Sequence, residues 1–142
     1  LTLYIRKEEI VNVCQELKKH PTLQFDYLSD LTAVDNLNDP KEGEPRFYVV
    51  YHLFSTKTKR RLRLKAGVDG ESPVIDSVVP VWCGANWHER ECYDMFGIHF
   101  EGHPDLRRIL MPEDWEGYPL RKDYPVADQE PYEYINKQLA DE

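Results

Sequence analysis

Cysteine is scarce: only Cys14, Cys83 and Cys92 occur in 142 residues. Three thiols cannot hold a four-cysteine iron–sulfur cluster, and no C-x-x-C pair exists. Their irregular spacing is no disulfide framework either, and with no secretory leader visible a reducing compartment is expected. The seven glycines form neither G-x-G-x-x-G nor G-x-x-x-x-G-K-[ST], so both phosphate-cradling loops are missing. None of the four serines sits in G-x-S-x-G. Crossing a bilayer takes about 20 apolar residues, and the longest apolar-rich stretches here are 47–51 and 78–83. Positive charge is also in deficit, with 18 Lys and Arg against 26 Asp and Glu and a net charge of −8. The resulting field repels polyanions, which disfavours nucleic acid and anionic membrane as general partners.

What is present suits one globular domain with an appendage: 41% hydrophobic and 31% charged residues. Residues 1–5 read as a short strand, and 7–19 as an amphipathic helix. Ile10, Val11, Val13, Cys14 and Leu17 share its apolar face. Glu8 and Glu9 begin this helix, Lys18 and Lys19 end it, and Pro21 stops it, an order that suits the helix dipole. Strands are expected over 25–34, 46–54 and 60–66, with a short extended piece at 74–79. The 46–54 stretch is apolar on both alternating sets, so it should be central. A second helix is expected over 81–95, closed by Gly97 in the left-handed conformation. The order β-α-β-β-β-α implies an α+β fold, a helical layer on a mostly antiparallel sheet, over residues 1–100.

From about residue 101 the character changes. Pro104, Pro112, Pro119, Pro125 and Pro131 interrupt any helix or ladder, yet Leu106, Ile109, Leu110, Met111, Trp115, Tyr118, Leu120 and Tyr124 are interleaved. Burying these side chains cannot offset the entropy of ordering the whole stretch. Residues 101–142 are therefore expected to form an extended, Pro-rich arm that lies on a surface, its own or a partner's.

The densest charged segment is His88-Glu89-Arg90-Glu91-Cys92-Tyr93-Asp94. At helical spacing Trp82, Ala85, Glu89, Cys92 and Phe96 share a face, and Arg90 and Asp94 stand as i, i+4 partners. A carboxylate among apolar neighbours needs a cation, and the arm supplies Arg107, Arg108, Arg121 and Lys122. This reads as a charge network clamping arm to helix, or either to a partner, against the plainer reading of a solvated helix face. Other chemistries fit less well. His88-Glu89-x-x-Cys92 misses the zinc-hydrolase pattern H-E-x-x-H by its cysteine. Cys83, Cys92, His99 and His103 lack a tight cysteine pair for zinc. Glu89 and Glu91 as an acid–base pair lack any substrate-gripping motif. Residues 57–65 hold six of the 18 basic residues. A sheet so charged could grip RNA, but Arg61, Arg63 and Lys65 take the solvent face where stacking aromatics would sit. A charge-protected edge strand, or a basic contact to an acidic partner, fits better.

The run Glu89-Arg90-Glu91-Cys92-Tyr93-Asp94-Met95-Phe96, then His103, then Arg107-Arg108-Ile109-Leu110, closely resembles a family signature. The family is the thirty-kilodalton subunit of respiratory complex I, the NADH:quinone oxidoreductase of bacteria. Met111-Pro112-Glu113-Asp114-Trp115, the stretch 117–125 and Asp30-Leu31-Thr32-Ala33-Val34-Asp35 fit the same pattern, so the resemblance spans about residues 25–125. Trp82-Cys83-Gly84 and Trp87-His88 depart from it outside the signature.

The resemblance implies a cofactor-free structural subunit of the peripheral arm of a proton-translocating complex. NADH, flavin, iron–sulfur clusters and quinone are expected in partner subunits. Those partners are the quinone-site (forty-nine-kilodalton-like) subunit and iron–sulfur subunits, with no nucleic acid and no direct membrane span. The implied location is the cytoplasmic face of the inner (plasma) membrane. Carried over by position, Glu89, Arg90, Glu91 and Asp94 form a structural charge cluster that His103, Arg107 and Arg108 continue. Trp115, Arg121, Lys122, Asp123 and Tyr124 are expected partner contacts, and no residue is assigned catalysis or metal binding. The alternatives are the equivalent subunit of a membrane-bound hydrogenase or ferredoxin-dependent complex and, in another class, a stand-alone metal-dependent hydrolase. The isolated chain could self-associate through an uncovered arm.

Overall fold

The computed structural model describes residues 1–39 and 43–125. Strand β1, Thr2–Ile5, leads through a 3₁₀ turn into helix α1, Ile10–Lys19. Ile10 and Cys14 are fully buried, while Lys18 and Lys19 end the helix as the dipole favours. The long strands follow: β2 Tyr27–Asp35, β3 Phe47–Phe54 and β4 Arg61–Val68. They build a four-stranded sheet in the order β1-β4-β3-β2. The β2–β3 and β3–β4 pairs are antiparallel and β1–β4 is parallel. The central place of β3 follows from its apolar alternation, with Phe47, Val49, Tyr51 and Leu53 all buried.

Three expectations need correction. The charged strand is internal rather than an edge, because β1 pairs along its outer side. Charge on alternate side chains leaves the backbone ladder free to pair on both sides, so composition does not reveal neighbours. The second helix, α2, spans Ala85–Phe96 and so begins at Ala85 rather than at 81. Val81 and Trp82 instead both donate their N–H groups to the Val78 carbonyl in a tight turn. After α2, His99–Glu101 forms β6, which pairs in parallel with β5, Val74–Asp76. At three residues it is too short for periodicity to reveal.

Both helices lie on one face of the sheet. Ile10 and Cys14 of α1 and Cys92, Met95 and Phe96 of α2 meet Leu31, Tyr51 and Leu64 in the core. After the β2 register shift between Leu28 and Asp30, Leu31, Ala33 and Asp35 turn inward and Asp30, Thr32 and Val34 outward. Residues 102–125 cross the domain without regular structure, and none of them is fully buried. Residues 126–142 of the expected arm lie outside the described residues.

Candidate functional site

The C-terminal end of α2 and the chain laid over it form the densest polar constellation. Its centre is Asp94, whose side chain is fully buried. Three consecutive backbone N–H groups, of Ile109, Leu110 and Met111, donate to one of its oxygens at 3.0, 2.7 and 2.8 Å. The other oxygen accepts from the Arg108 guanidinium at 2.7 Å. Successive N–H groups curled around one oxygen make an anion nest. Burial pushes the Asp94 carboxyl up, but the Met111 amide, the Arg108 guanidinium and the Leu110 and Ile109 amides outweigh it and hold it below its ordinary value.

This overlying chain, residues 102–125, is a strap, and Arg108 ties it to itself as well. It donates to the carbonyls of Trp115 and Gly117 at 2.8 and 2.9 Å, and its guanidinium lies 5.3 Å from the Tyr118 ring. Arg90, buried in α2, donates not to Asp94 but to the carbonyls of Arg107 and Arg108, at 3.1 and 2.9 Å. The expected i, i+4 pair is therefore corrected: both residues face the strap, one offering donors and the other accepting. Backbone groups were invisible to a count of charges.

Farther along, Leu120 donates its N–H to the Met95 carbonyl at 3.0 Å. Arg121 donates to the Phe96 carbonyl at 2.6 Å and stacks against Tyr118 and Phe47, with centroids 4.6 and 5.4 Å away. Gly97 makes this approach feasible. It closes α2 at φ 72°, and a Cβ there would come within 2.5 Å of the Tyr118 ring and 2.6 Å of the Arg121 guanidinium. The last fastening is Asp35, buried at the end of β2. It accepts both prongs of Arg46 at 3.2 and 3.0 Å and the Lys122 N–H at 2.9 Å. Arg46 reaches on to Asp123 at 2.7 Å.

Of the residues singled out by sequence, Arg90, Asp94, Arg108, Arg121, Lys122 and Asp123 come together in this fastening. Asp35 and Arg46 were missed. The signal for Asp35 was its phase: it continues the inward alternation of Leu31 and Ala33, although its place before a polar loop suggested a turn. His103 joins the same layer, accepting the Asp105 N–H at Nδ1 and meeting the Asn86 carbonyl at 3.2 Å with Nε2, which must then carry the proton. Tyr124 donates its hydroxyl to the Glu116 carbonyl at 3.2 Å. Arg107 pairs with Asp105 on the surface, at 2.8 Å. Trp115 is half-buried, and its indole N–H meets no acceptor among the described residues.

Glu89 and Glu91 stand apart from the cluster. Glu91 is exposed and makes no ion pair among the described residues. Glu89 is fully buried, with no cationic partner among the described residues. It accepts from the Ser77 hydroxyl at 2.6 Å and the Val78 N–H at 2.7 Å, so it pins the turn before α2. Burial raises its pKa to about 7, against which these two bonds pull only partly. The rule that a buried carboxylate needs a cation fails here, because a carboxyl with raised pKa and two donors needs none.

Among the described residues, no group of three or more His, Cys, Asp or Glu is placed to hold a metal ion. Cys92 is buried with its sulfur toward the Leu31 carbonyl, whereas Cys83 is exposed. No described helix is long and apolar enough to cross a membrane.

Comparison with known proteins gives a consistent result. The family model for the respiratory-chain NADH dehydrogenase 30 Kd subunit matches residues 3–130. An NADH-quinone oxidoreductase subunit of Roseiflexus sp. is 53% identical over 130 residues, covering 92% of this chain and 72% of that protein. The NADH-quinone oxidoreductase subunit of the same kind from Geobacter sulfurreducens is 52% identical over 134 residues, covering 93% and 80%. Among solved structures, a trypsin-resistant fragment of Nqo5 superposes with a TM-score of 0.63 at 35% identity, over 72% of this chain and 80% of that one. A chain of an archaeal membrane-bound sulfane sulfur reductase shares the fold, with a TM-score of 0.71 at 23% identity over 96% and 75%. The Asp94 nest, the Arg90 and Arg108 clamps and the strap they hold are thus features of a chain that belongs to the respiratory-chain NADH dehydrogenase 30 Kd subunit family, part of the NADH-quinone oxidoreductases.

Proposed function

We propose that this chain is a non-catalytic scaffold of the peripheral arm of a proton-translocating NADH:quinone oxidoreductase, and that its strap buttresses the quinone-site subunit. The observation that carries the reading is the strap's two-sidedness. The Ile109, Leu110 and Met111 N–H groups, the Arg107 and Arg108 carbonyls and the Arg108 and Arg121 guanidinium groups are turned onto its own domain. Of its apolar side chains, Leu106 and Met111 pack on the core, but Leu110 and Leu120 are left outside, 62% and 51% exposed. Two large aliphatic residues held outward on fixed backbone suit burial by another polypeptide. The relatives named above are subunits of a multi-subunit enzyme, which supplies such a neighbour.

On this reading the chain moves no electron and takes no proton from substrate. NADH, flavin, iron–sulfur clusters and quinone belong to partner subunits, and iron–sulfur subunits are further neighbours. Attachment to the cytoplasmic face of the membrane is peripheral, through the complex. The fastened strap fixes the register of the quinone-site subunit, so electron-transfer distances and quinone access stay constant. The NADH-linked names of relatives above 50% identity favour this electron donor over hydrogenase or ferredoxin input.

Substituting Arg121→Ala tests the reading, because it frees the strap between Phe96 and Phe47. The expected outcome is less assembled complex on native gels, with normal NADH:quinone turnover per assembled complex. Normal assembly with lost turnover would contradict a scaffold role.

A further inference from the structure

The opposite face of the molecule has a composition of its own. Between Pro45 and Val68 stand seven of the 18 basic residues and none of the 26 acidic ones, in a chain of net charge −8. This interval spans β3, β4 and their hairpin. Leu62, Leu64 and Ala66 point toward the helices, so alternation turns Arg61, Arg63 and Lys65 to the face that no helix among the described residues covers.

Aromatic side chains share that face, which corrects the expectation that the cations would exclude them. They come from neighbouring strands: Tyr4 of β1 and Tyr48 and Phe54 of β3. Tyr4 and Tyr48 pack edge to face at 5.7 Å, and the Lys65 ammonium sits 5.8 and 5.6 Å from their centroids. Arg61 lies 5.9 Å from Phe54. Tyr4 is 65% and Val34 40% exposed. Among the described residues Arg61, Arg63 and Lys65 make no salt bridge, unlike Arg46, Arg107 and Arg108. Near Arg61, Arg63 and His52 the face opens into a groove of about 570 Å³, which Asp30 of β2 also lines, so the cationic area is bounded there by a carboxylate.

We propose that this sheet face is a second docking surface, occupied by an acidic polypeptide segment of a neighbouring subunit. Its carboxylates would meet Arg61, Arg63 and Lys65, and its apolar side chains Tyr4 and Val34. The inference rests on the chain being a subunit of a larger complex, as proposed above. Charge complementarity selects the occupant. A polyanion such as nucleic acid would overrun the cationic area and meet Asp30 on β2 and Glu44 beside Tyr48. An anionic membrane would face the same negative surround. A peptide segment with a few carboxylates fits between these borders, and charge-paired surfaces of this kind set register and exclude wrong neighbours. The chain then bridges two neighbours, with the strap on one side and the sheet on the other.

The test uses the purified, assembled complex with the photo-cross-linker benzoylphenylalanine in place of Val34, outside the strap. The expected product joins Val34 to a segment of another subunit that contains several Asp or Glu, as sequenced from the cross-linked peptide. The yield should fall at least about tenfold in R61E/R63E/K65E, and in the milder R61Q/R63Q should the first fail to fold. A cross-link to lipid, to nucleic acid, to the chain itself or to a segment without acidic residues overturns the proposal, as does no cross-link. Loss of the unsubstituted chain from the complex on a native gel overturns the scaffold reading as well, so the two failures are distinct.

Discussion

Asp94 shows how much one carboxylate can hold. Its four charge-assisted bonds reach the strap in one stroke, and each is stronger for being sheltered from water. Asp94→Asn removes the charge while leaving Arg108 and three N–H donors half-buried around it. The expected loss is about 3–5 kcal/mol in urea unfolding, as for other broken buried pairs. Amide exchange at Ile109, Leu110 and Met111 should accelerate beyond the global change, and an unaltered exchange rate there would contradict the nest. Glu89 behaves oppositely. Its folded pKa of about 7 lies above its ordinary 4.5, so between those values the native state holds a proton that the unfolded chain has released. That group's contribution to stability therefore falls as pH rises through this window. Glu89→Gln cannot titrate, so its denaturation midpoint should decline less than the parent's between about pH 5 and 7. Equal slopes would show that Glu89 does not titrate there.

At the scale of elements, the decisive junction is where α2 ends and the strap passes over it. Gly97 and Gly102 both have positive φ, 72° and 77°, but only Gly97 has side chains pressed against the site of a Cβ. Gly97→Ala should therefore lower the thermal midpoint clearly more than Gly102→Ala, the shared backbone strain being about 1–2 kcal/mol. Equal losses would mean that Tyr118 and Arg121 do not pack against the turn. Much of this junction was legible in the sequence. The Gly97 cap, the buried face of α2 and the central strand follow from periodicity and composition, which are local. The partners of the charges were not legible. Asp94 was matched to the nearest arginine at helical spacing, whereas its partners are backbone amides and Arg108, 14 to 17 residues on. Likewise β1 beside β4, and Tyr4 beside Lys65, are contacts between distant stretches that alternation alone cannot pair.

For the whole molecule, sheet and helices make a domain of ordinary α+β construction, and the proposed role of the strap is to give it a surface for assembly. The family membership and the outward Leu110 and Leu120 support the same use. The most direct measurement is hydroxyl-radical labelling of the isolated chain and of the assembled complex, read at Leu110 and Leu120 against exchange at the 109–111 amides. The expected result is strong protection of both leucine side chains on assembly, with the amides already slow in the isolated chain. Leucines labelled as readily in the complex as alone, or amides protected only after assembly, would contradict a strap fastened to its own domain and presented to a neighbour.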